Sequence, residues 1–452
     1  MKLNDLNKTK VTENGDLAFT SPSNNKLLNI LFLSEYYQKH LDELPLLGDS
    51  PREQLFAMFM RDPRFGLGRR DLGRQLLSDT ECSIEQVIKC GRVDDLWHTN
   101  IPAIELTDYL YQECRNNNEL VKKWMPRFGT KNEKYAKFFA DAFFVGAPGC
   151  ETNIQRKIAY GHLIKCNTVE QHLSRKETEK IVFEHVPSLA MLKYCRRFSA
   201  KPDTAKRFAE YLEEVKAGKK DLKVNTATCY DIYRNRTKID PDLFFEKLPK
   251  VSGSWVPVID SSGSMQDAND SYGKALAIGH YLAKTSTAFP DTAISFSSWP
   301  TLLKVGKDNK ICDGWYHHTN HVEHMESQYM REIASLHTGD CSNTDLGRVM
   351  ELLAQVDDLP EYLVILTDME FDCGSSVKKD AAMRLWKEKG YKTKIIWWNL
   401  NSRHTTAPEL DENGNIFMSG YNPTLLKFLE AGFDGEKFLN KLLVEYEKLI
   451  KE

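Results

Sequence analysis

The stretch Val256-Pro-Val-Ile-Asp260-Ser-Ser262-Gly-Ser264-Met265 decides how this chain is read. A short β-branched run delivers an aspartate, and two hydroxyls follow at alternate positions. That is the pattern of a strand ending in a loop whose oxygens converge on a hard cation. Asp260 supplies charge, while Ser262 and Ser264 supply neutral oxygens. Oxygen-only, hydroxyl-rich ligation suits Mg2+ or Mn2+, which keep waters and an open position for an external acidic group. Zinc would want His or Cys, and the stretch has neither.

Two further segments address the same place. Gly339-Asp-Cys-Ser-Asn-Thr344-Asp-Leu-Gly puts a threonine in a polar loop ahead of an amphipathic run, Leu346 to Leu353. Tyr362-Leu-Val-Ile-Leu-Thr367-Asp368 is an apolar strand that ends on another aspartate. In an open parallel sheet, ligands sit outside the carboxyl ends of the strands. The alternative is three unrelated polar loops. The series resembles the metal-ion-dependent adhesion site of von Willebrand factor A (VWA) domains, with Asp260, Ser262, Ser264, Thr344 and Asp368 at its five ligand positions. The resemblance implies Mg2+ or Mn2+ as cofactor and an acidic protein ligand at the metal.

At 452 residues the chain is long enough for two or more domains. A hydrophobic share of 41% with 28% charged residues is that of a globular protein. The opening Met1-Lys-Leu-Asn-Asp-Leu has no apolar signal core, and no apolar run approaches ~18 residues. Ten cysteines are scattered without a Cys-x-x-Cys pair, which favours reduced thiols over a disulfide framework. The expectation is a cytoplasmic monomer with no membrane partner. Residues 1–250 carry 41 Lys and Arg against 35 Asp and Glu, and the remainder 20 against 29. The first part is mildly basic and the second acidic, which permits nucleic-acid binding in the first without demonstrating it.

The texture of the chain predicts an α plus α/β protein. Residues 1–24 are polar and read as an extended arm. Over 25–250 the pattern is helical, with candidate helices at 104–125, 132–145, 152–165, 176–183, 188–198 and 202–217, punctuated by prolines. Serial amphipathic helices joined by short turns suggest a HEAT-like helical repeat. Over 251–420, strands at Trp255–Ile259, Thr292–Phe296, Tyr362–Leu366 and Lys394–Trp398 alternate with helices at Tyr272–Thr285, Asp345–Gln355 and Ser376–Lys389. That alternation implies a Rossmann-like doubly wound parallel sheet. The His-rich segment 311–340 reads as loop and helix. The tail, 421–452, is helical again and is expected to pack back on the helical module.

In the helical part, Arg61-Asp-Pro-Arg64-Phe-Gly-Leu-Gly-Arg69-Arg70-Asp-Leu-Gly-Arg74 gathers five arginines and three glycines. Arginines fork onto phosphate oxygens; the competing reading is a charged loop with pairs to Asp62 and Asp71. Lys122-Lys-Trp-Met-Pro-Arg127 is a basic, aromatic helix end, and Gly91-Arg-Val-Asp-Asp-Leu-Trp97 looks like a helix start. In His185-Val-Pro-Ser188-Leu-Ala-Met-Leu-Lys193-Tyr-Cys-Arg196-Arg197, Ser188 either opens an anion site or caps the first turn.

These segments resemble motifs of TROVE modules, the telomerase, Ro and vault family. Val258-Ile-Asp-Ser-Ser-Gly-Ser-Met, Leu366-Thr-Asp-Met-Glu-Phe-Asp372, Trp398-Asn-Leu-Asn401 and Met418-Ser-Gly-Tyr-Asn-Pro423 look like a family of Ro-like proteins of plants, fungi and large viruses that joins a TROVE-like half to a VWA half. The resemblance runs from about Leu17 to Leu443. It implies binding of misfolded or small non-coding RNA, through single-stranded ends and structured regions. The candidate RNA contacts are Arg61, Arg64, Arg69, Arg70, Arg74, Lys122, Lys123, Arg127, Lys193, Arg196 and Arg197. The weak net basicity departs from that picture, and a protein scaffold without RNA is the rival class.

His317-His-x-x-His321-x-x-His324 is weighed as a transition-metal site or a polar surface. Phosphate-loop, His-Glu-x-x-His and Gly-x-Ser-x-Gly motifs are absent, so no enzymatic activity is expected.

Overall fold

Local capping chemistry fixes where many helices begin. Pro51, Pro202 and Pro241 stand in the first turns of Pro51–Arg61, Pro202–Lys216 and Pro241–Glu246, where a missing N–H loses no intrahelical bond. Reciprocal capping boxes open Ile84–Cys90 (Ser83 with Gln86), Asn153–Leu163 (Thr152 with Gln155) and Cys229–Asn235 (Thr228 with Asp231). The structure, a computed structural model, describes residues 9–224, 227–296, 298–312, 317–319, 325, 327–401, 405–408, 415–421 and 435–451.

The described strands are β1 (Thr9–Val11), β2 (Leu17–Phe19), β3 (Trp255–Asp260), β4 (Thr292–Phe296), β5 (Thr301–Lys304), β6 (Lys310–Cys312), β7 (His317–Thr319), β8 (Tyr362–Thr367), β9 (Lys394–Asn399) and β10 (Ile416–Ser419). Six form one sheet in the order β10-β9-β8-β3-β4-β5. It is parallel except for β5, which runs antiparallel to β4. β3 and β8 are buried along their whole length, as expected of interior parallel strands. Pro257 is unusual in such a strand, and it sits where pairing with β4 has not yet begun. The chain leaves β3 for β4 on one side and returns to β8 on the other, so the strand order reverses between β3 and β8. The helix Ser271–Thr285 lies so close to β3 that a Cβ on Gly279 would come within 2.5 Å of Ile259 Cδ1.

The chain divides into two units. The α/β unit comprises the chain up to Pro45, Pro187–Lys193 and Leu222–Glu445; the helical unit comprises Leu46–Val186, Tyr194–Asp221 and the chain from Tyr446. This differs from boundaries at residues 24, 250 and 420. The polar stretch read as an extended arm forms the antiparallel hairpin β1–β2, so strands do precede residue 250. Strands of three residues carry too little periodicity to show in a sequence. Residues 26–37 also join the α/β unit, where Phe32 meets Phe417 of β10 edge to face at 5.1 Å.

Elsewhere the elements differ in detail. The expected helix 104–125 is two, Ala103–Arg115 and Glu119–Trp124, broken where Asn117 turns to positive φ. No α-helix spans 176–183: Lys176 ends Val169–Arg175 in a left-handed cap, and two short 3-10 turns follow. The segment 311–340 holds β6, β7 and the helix Gln328–Ser335 among its described residues. Of the tail, residues 422–434 lie outside the described residues, and Gly435–Lys451 is one helix. Among the described residues no helix is long and apolar enough to cross a membrane.

The helical unit is organised around a buried carboxylate. Asp95, fully buried, accepts from Arg61 Nη2 at 2.7 Å and Arg74 Nε at 2.6 Å, while its own loop donates through Arg92 N at 2.8 Å. Arg74 also reaches Asp94 at 2.7 Å. Asp62, buried as well, accepts from the backbone of Arg64 at 2.7 Å and from Tyr446 Oη at 3.2 Å. Gly66 is required here, because a Cβ would fall 1.9 Å from the Phe59 carbonyl oxygen. Removing one partner of a buried ion pair typically costs about 3–5 kcal/mol, since the other charge stays buried. Asp95→Ala is therefore expected to lower stability by roughly that amount in urea unfolding; an unchanged midpoint would contradict this role.

Candidate functional site

The carboxyl ends of β3 and β8 flank the reversal in strand order, the position where open parallel sheets hold ligands. Ile259 pairs in register with Leu366, which brings Asp260 level with Thr367 and one residue short of Asp368. Both aspartates are buried. Thr367 Oγ1 donates to Asp260 Oδ2 at 2.6 Å, and Ser262 N donates to Asp260 Oδ1 at 2.9 Å. Ser262 and Ser264 hydroxyl oxygens are 3.1 Å apart. On the other carboxylate, Asp368 Oδ1 accepts from Glu370 N at 3.3 Å.

The Thr344 loop is tied to both of its neighbours. Gly263 N donates to Ser342 O at 3.3 Å, linking it to the loop after β3. Asp372 N donates to Thr344 O at 2.9 Å, and Thr344 N donates to Asp372 Oδ1 at 3.2 Å, linking it to the loop after β8. Backbone bonds thus place Thr344, while its own hydroxyl is buried with no hydrogen-bond partner among the described residues. Leaving a buried hydroxyl unsatisfied costs about 1–3 kcal/mol.

Burial first, and then the nearby charge of Asp368, push the Asp260 carboxyl above its ordinary value of 3.8. The donor set fits a hard cation: two carboxylates that repel one another and three hydroxyls, of which that of Thr344 lacks a partner among the described residues. Among the described residues no group of three or more His, Cys, Asp or Glu is placed to hold a metal ion, at this rim or elsewhere. His321 and His324 lie outside the described residues. Cys82, Cys90, Cys114, Cys150, Cys166, Cys195 and Cys229 are free and buried, and Cys341 and Cys373 are free and exposed.

The basic candidates are distributed differently. Arg61 and Arg69 are buried and Arg74 nearly so. Arg64 is held by the Asp62 carboxylate and the Lys89 carbonyl, and Arg70 pairs with adjacent Asp71. The competing reading of this loop, pairs to Asp62 and Asp71, is thus what the side chains form. Lys122 is buried against Asn117 Oδ1 at 2.6 Å, and Lys123 reaches Glu170 at 3.5 Å. Arg127 donates to the Lys122 carbonyl at 3.2 Å. Lys193, Arg196 and Arg197 are exposed, Lys193 in the α/β unit and the other two in the helical unit. Arg92 lies over the Trp124 ring at 4.3 Å, so the segments quoted from 91 and from 122 meet.

Comparison with known proteins adds three findings. A family described as "Domain of unknown function (DUF7788)" matches residues 254–448, and another, "Domain of unknown function (DUF2828)", matches residues 156–252. No curated protein matches. Among solved structures the chain is similar to that titled "Crystal structure of Deinococcus radiodurans RO (RSR) protein", with 11% identity, 92% of each chain covered and a TM-score of 0.41.

Sequence reasoning missed Thr367, Glu370 and Asp372. All three lie within the run Thr367-Asp-Met-Glu-Phe-Asp372, where polar residues recur after a buried strand and mark the loop as more than a strand end. Ligand carboxylates must be ionised, so a cation competes with protons. A folded value above the unfolded one means that, without metal, protonating Asp260 favours the fold: its contribution grows as pH falls toward 3.8. The thermal shift produced by Mg2+ is therefore expected to be larger at about pH 8 than at about pH 5.5, and absent in Asp260→Ala. Equal shifts at both pH values, or in mutant and parent, would contradict the assignment.

Proposed function

We propose that this chain is a Ro-like RNA-binding protein whose α/β unit docks a partner through Mg2+ or Mn2+. The docking role is carried by one observation: the unpartnered, buried Thr344 hydroxyl shares a strand-end rim with the buried pair Asp260 and Asp368. Asp260, Ser262, Ser264, Thr344 and Asp368 would hold the cation, which supplies a Lewis-acid position for a carboxylate of the partner. Both aspartates are then committed to the metal, and no general base is assigned, so the action is binding and not turnover.

The RNA role is supported by the motif resemblance across the helical part and by the exposed Arg196 and Arg197. A second reading, a protein scaffold without RNA, is favoured by the pairing of Arg61, Arg64, Arg70 and Arg74 with carboxylates. Such arginines explain part of the motif as packing.

Salt dependence separates the readings, because neutralising phosphates releases counterions. With a fluorescent stem-and-tail RNA, Arg196→Glu combined with Arg197→Glu is expected to weaken binding about ten-fold and flatten the slope of log K against log salt by between about 1 and 2. Unchanged affinity in filter binding would favour the scaffold.

A further inference from the structure

The hairpin β1–β2 lies against the loop that carries Asp368, and its contacts are specific. Thr12 Oγ1 donates to the Phe371 carbonyl at 2.8 Å, Glu13 N to Glu370 Oε2 at 2.8 Å, and Asn14 Nδ2 to the Glu370 carbonyl at 3.0 Å. Cys373 N donates back to Asn14 O at 3.1 Å, and Gly15 bridges to Asp372. Asp16, buried, accepts from Gly374 N at 3.2 Å and Ser376 N at 2.9 Å. It thereby caps the helix Ser375–Glu388, whose own Gly374 offers no side-chain cap. The second Glu370 oxygen accepts from Thr406 Oγ1 at 2.9 Å.

Residues 12–16 thus satisfy the Glu370 and Phe371 carbonyls, one Glu370 carboxylate oxygen and the N–H groups of Cys373, Gly374 and Ser376. The same loop touches the candidate ligands at two points, through Glu370 N on Asp368 and through Asp372 on Thr344. Extended against the protein only by side-chain and backbone bonds, a turn of this kind is a fastener for the loop it crosses. We propose that residues 12–16 are an intramolecular strap that sets the metal affinity of the α/β unit, with Asp16 and Glu370 as positioning residues. This rests on the metal-site reading above. The strap holds Asp368 and Thr344 in the ligating arrangement before the cation arrives, so the ordering of the loop is not charged to binding. Loosening it lowers affinity without touching a ligand.

The test is calorimetric titration of Mn2+ into the full chain and its variants, with melting in chelator as the measure of the metal-free fold. Asp16→Ala and Thr12→Val are expected to weaken Mn2+ binding about ten-fold or more, and to melt in chelator only a few degrees below the parent, Asp16→Ala because it also loses a helix cap. Thr12→Ser, which restores the hydroxyl, is expected to bind like the parent. Asp260→Ala serves as the control that removes a ligand. If the parent binds Mn2+ and both strap variants bind equally well, the strap is overturned and the site stands. If the parent does not bind, or Asp260→Ala binds as tightly, the site itself fails and the strap with it. If Asp16→Ala does not fold, the Thr12→Val and Thr12→Ser pair decides the outcome in the same way.

Discussion

Two carboxylates buried at adjacent strand ends impose the constraint on which the α/β unit depends. Asp260 and Asp368 lie where water is scarce and like charges repel, which raises the Asp260 carboxyl above its ordinary range. The repulsion within such a pair is relieved by hydrogen bonds, by a proton or by a cation. Around them stand the hydroxyl oxygens of Ser262, Ser264 and Thr344, donor types that suit the cation proposed above. The sheet produces this arrangement by reversing its strand order at β3 and β8.

Each unit then shows the same logic with a different answer. In the helical unit the buried Asp95 is neutralised internally, by Arg61 and Arg74, so its motif closes on itself. In the α/β unit the buried Asp260 meets the Thr367 hydroxyl and the Ser262 N–H, and Asp368 accepts from Glu370 N. An internally paired cluster stabilises a fold, whereas a carboxylate with a perturbed pKa at a strand end is a candidate for binding. That contrast separates residues that build the helical unit from residues proposed to bind, although both kinds stand out in the sequence as charged motifs.

The sequence made the sheet legible because its interior strands are continuous apolar runs ending on polar residues. Trp255–Ile259, Thr292–Phe296, Tyr362–Leu366 and Lys394–Trp398 lie within observed strands. β5 was hidden by its half-exposed alternation, and β10 by its four residues. The hairpin β1–β2 was illegible for a further reason: besides its own short pairing, its partners lie more than 350 positions away, as in the bond from Thr12 to Phe371. The strand-end series proposed as ligands could be read as one rim because hydroxyls and acids at fixed spacing follow strands, whereas Glu370 and Asp372 act through bonds that spacing does not encode. In the arginine motif, Arg61 and Arg74 pair with buried Asp95, a partnership that spacing alone does not reveal.

The most direct measurement is anomalous scattering from Mn2+ in crystals of the full chain. The account predicts one peak bounded by the carboxylates of Asp260 and Asp368 and the hydroxyls of Ser262, Ser264 and Thr344. Mn2+ bound elsewhere with no peak at that rim, or the two carboxylates turned away from one another, would contradict it.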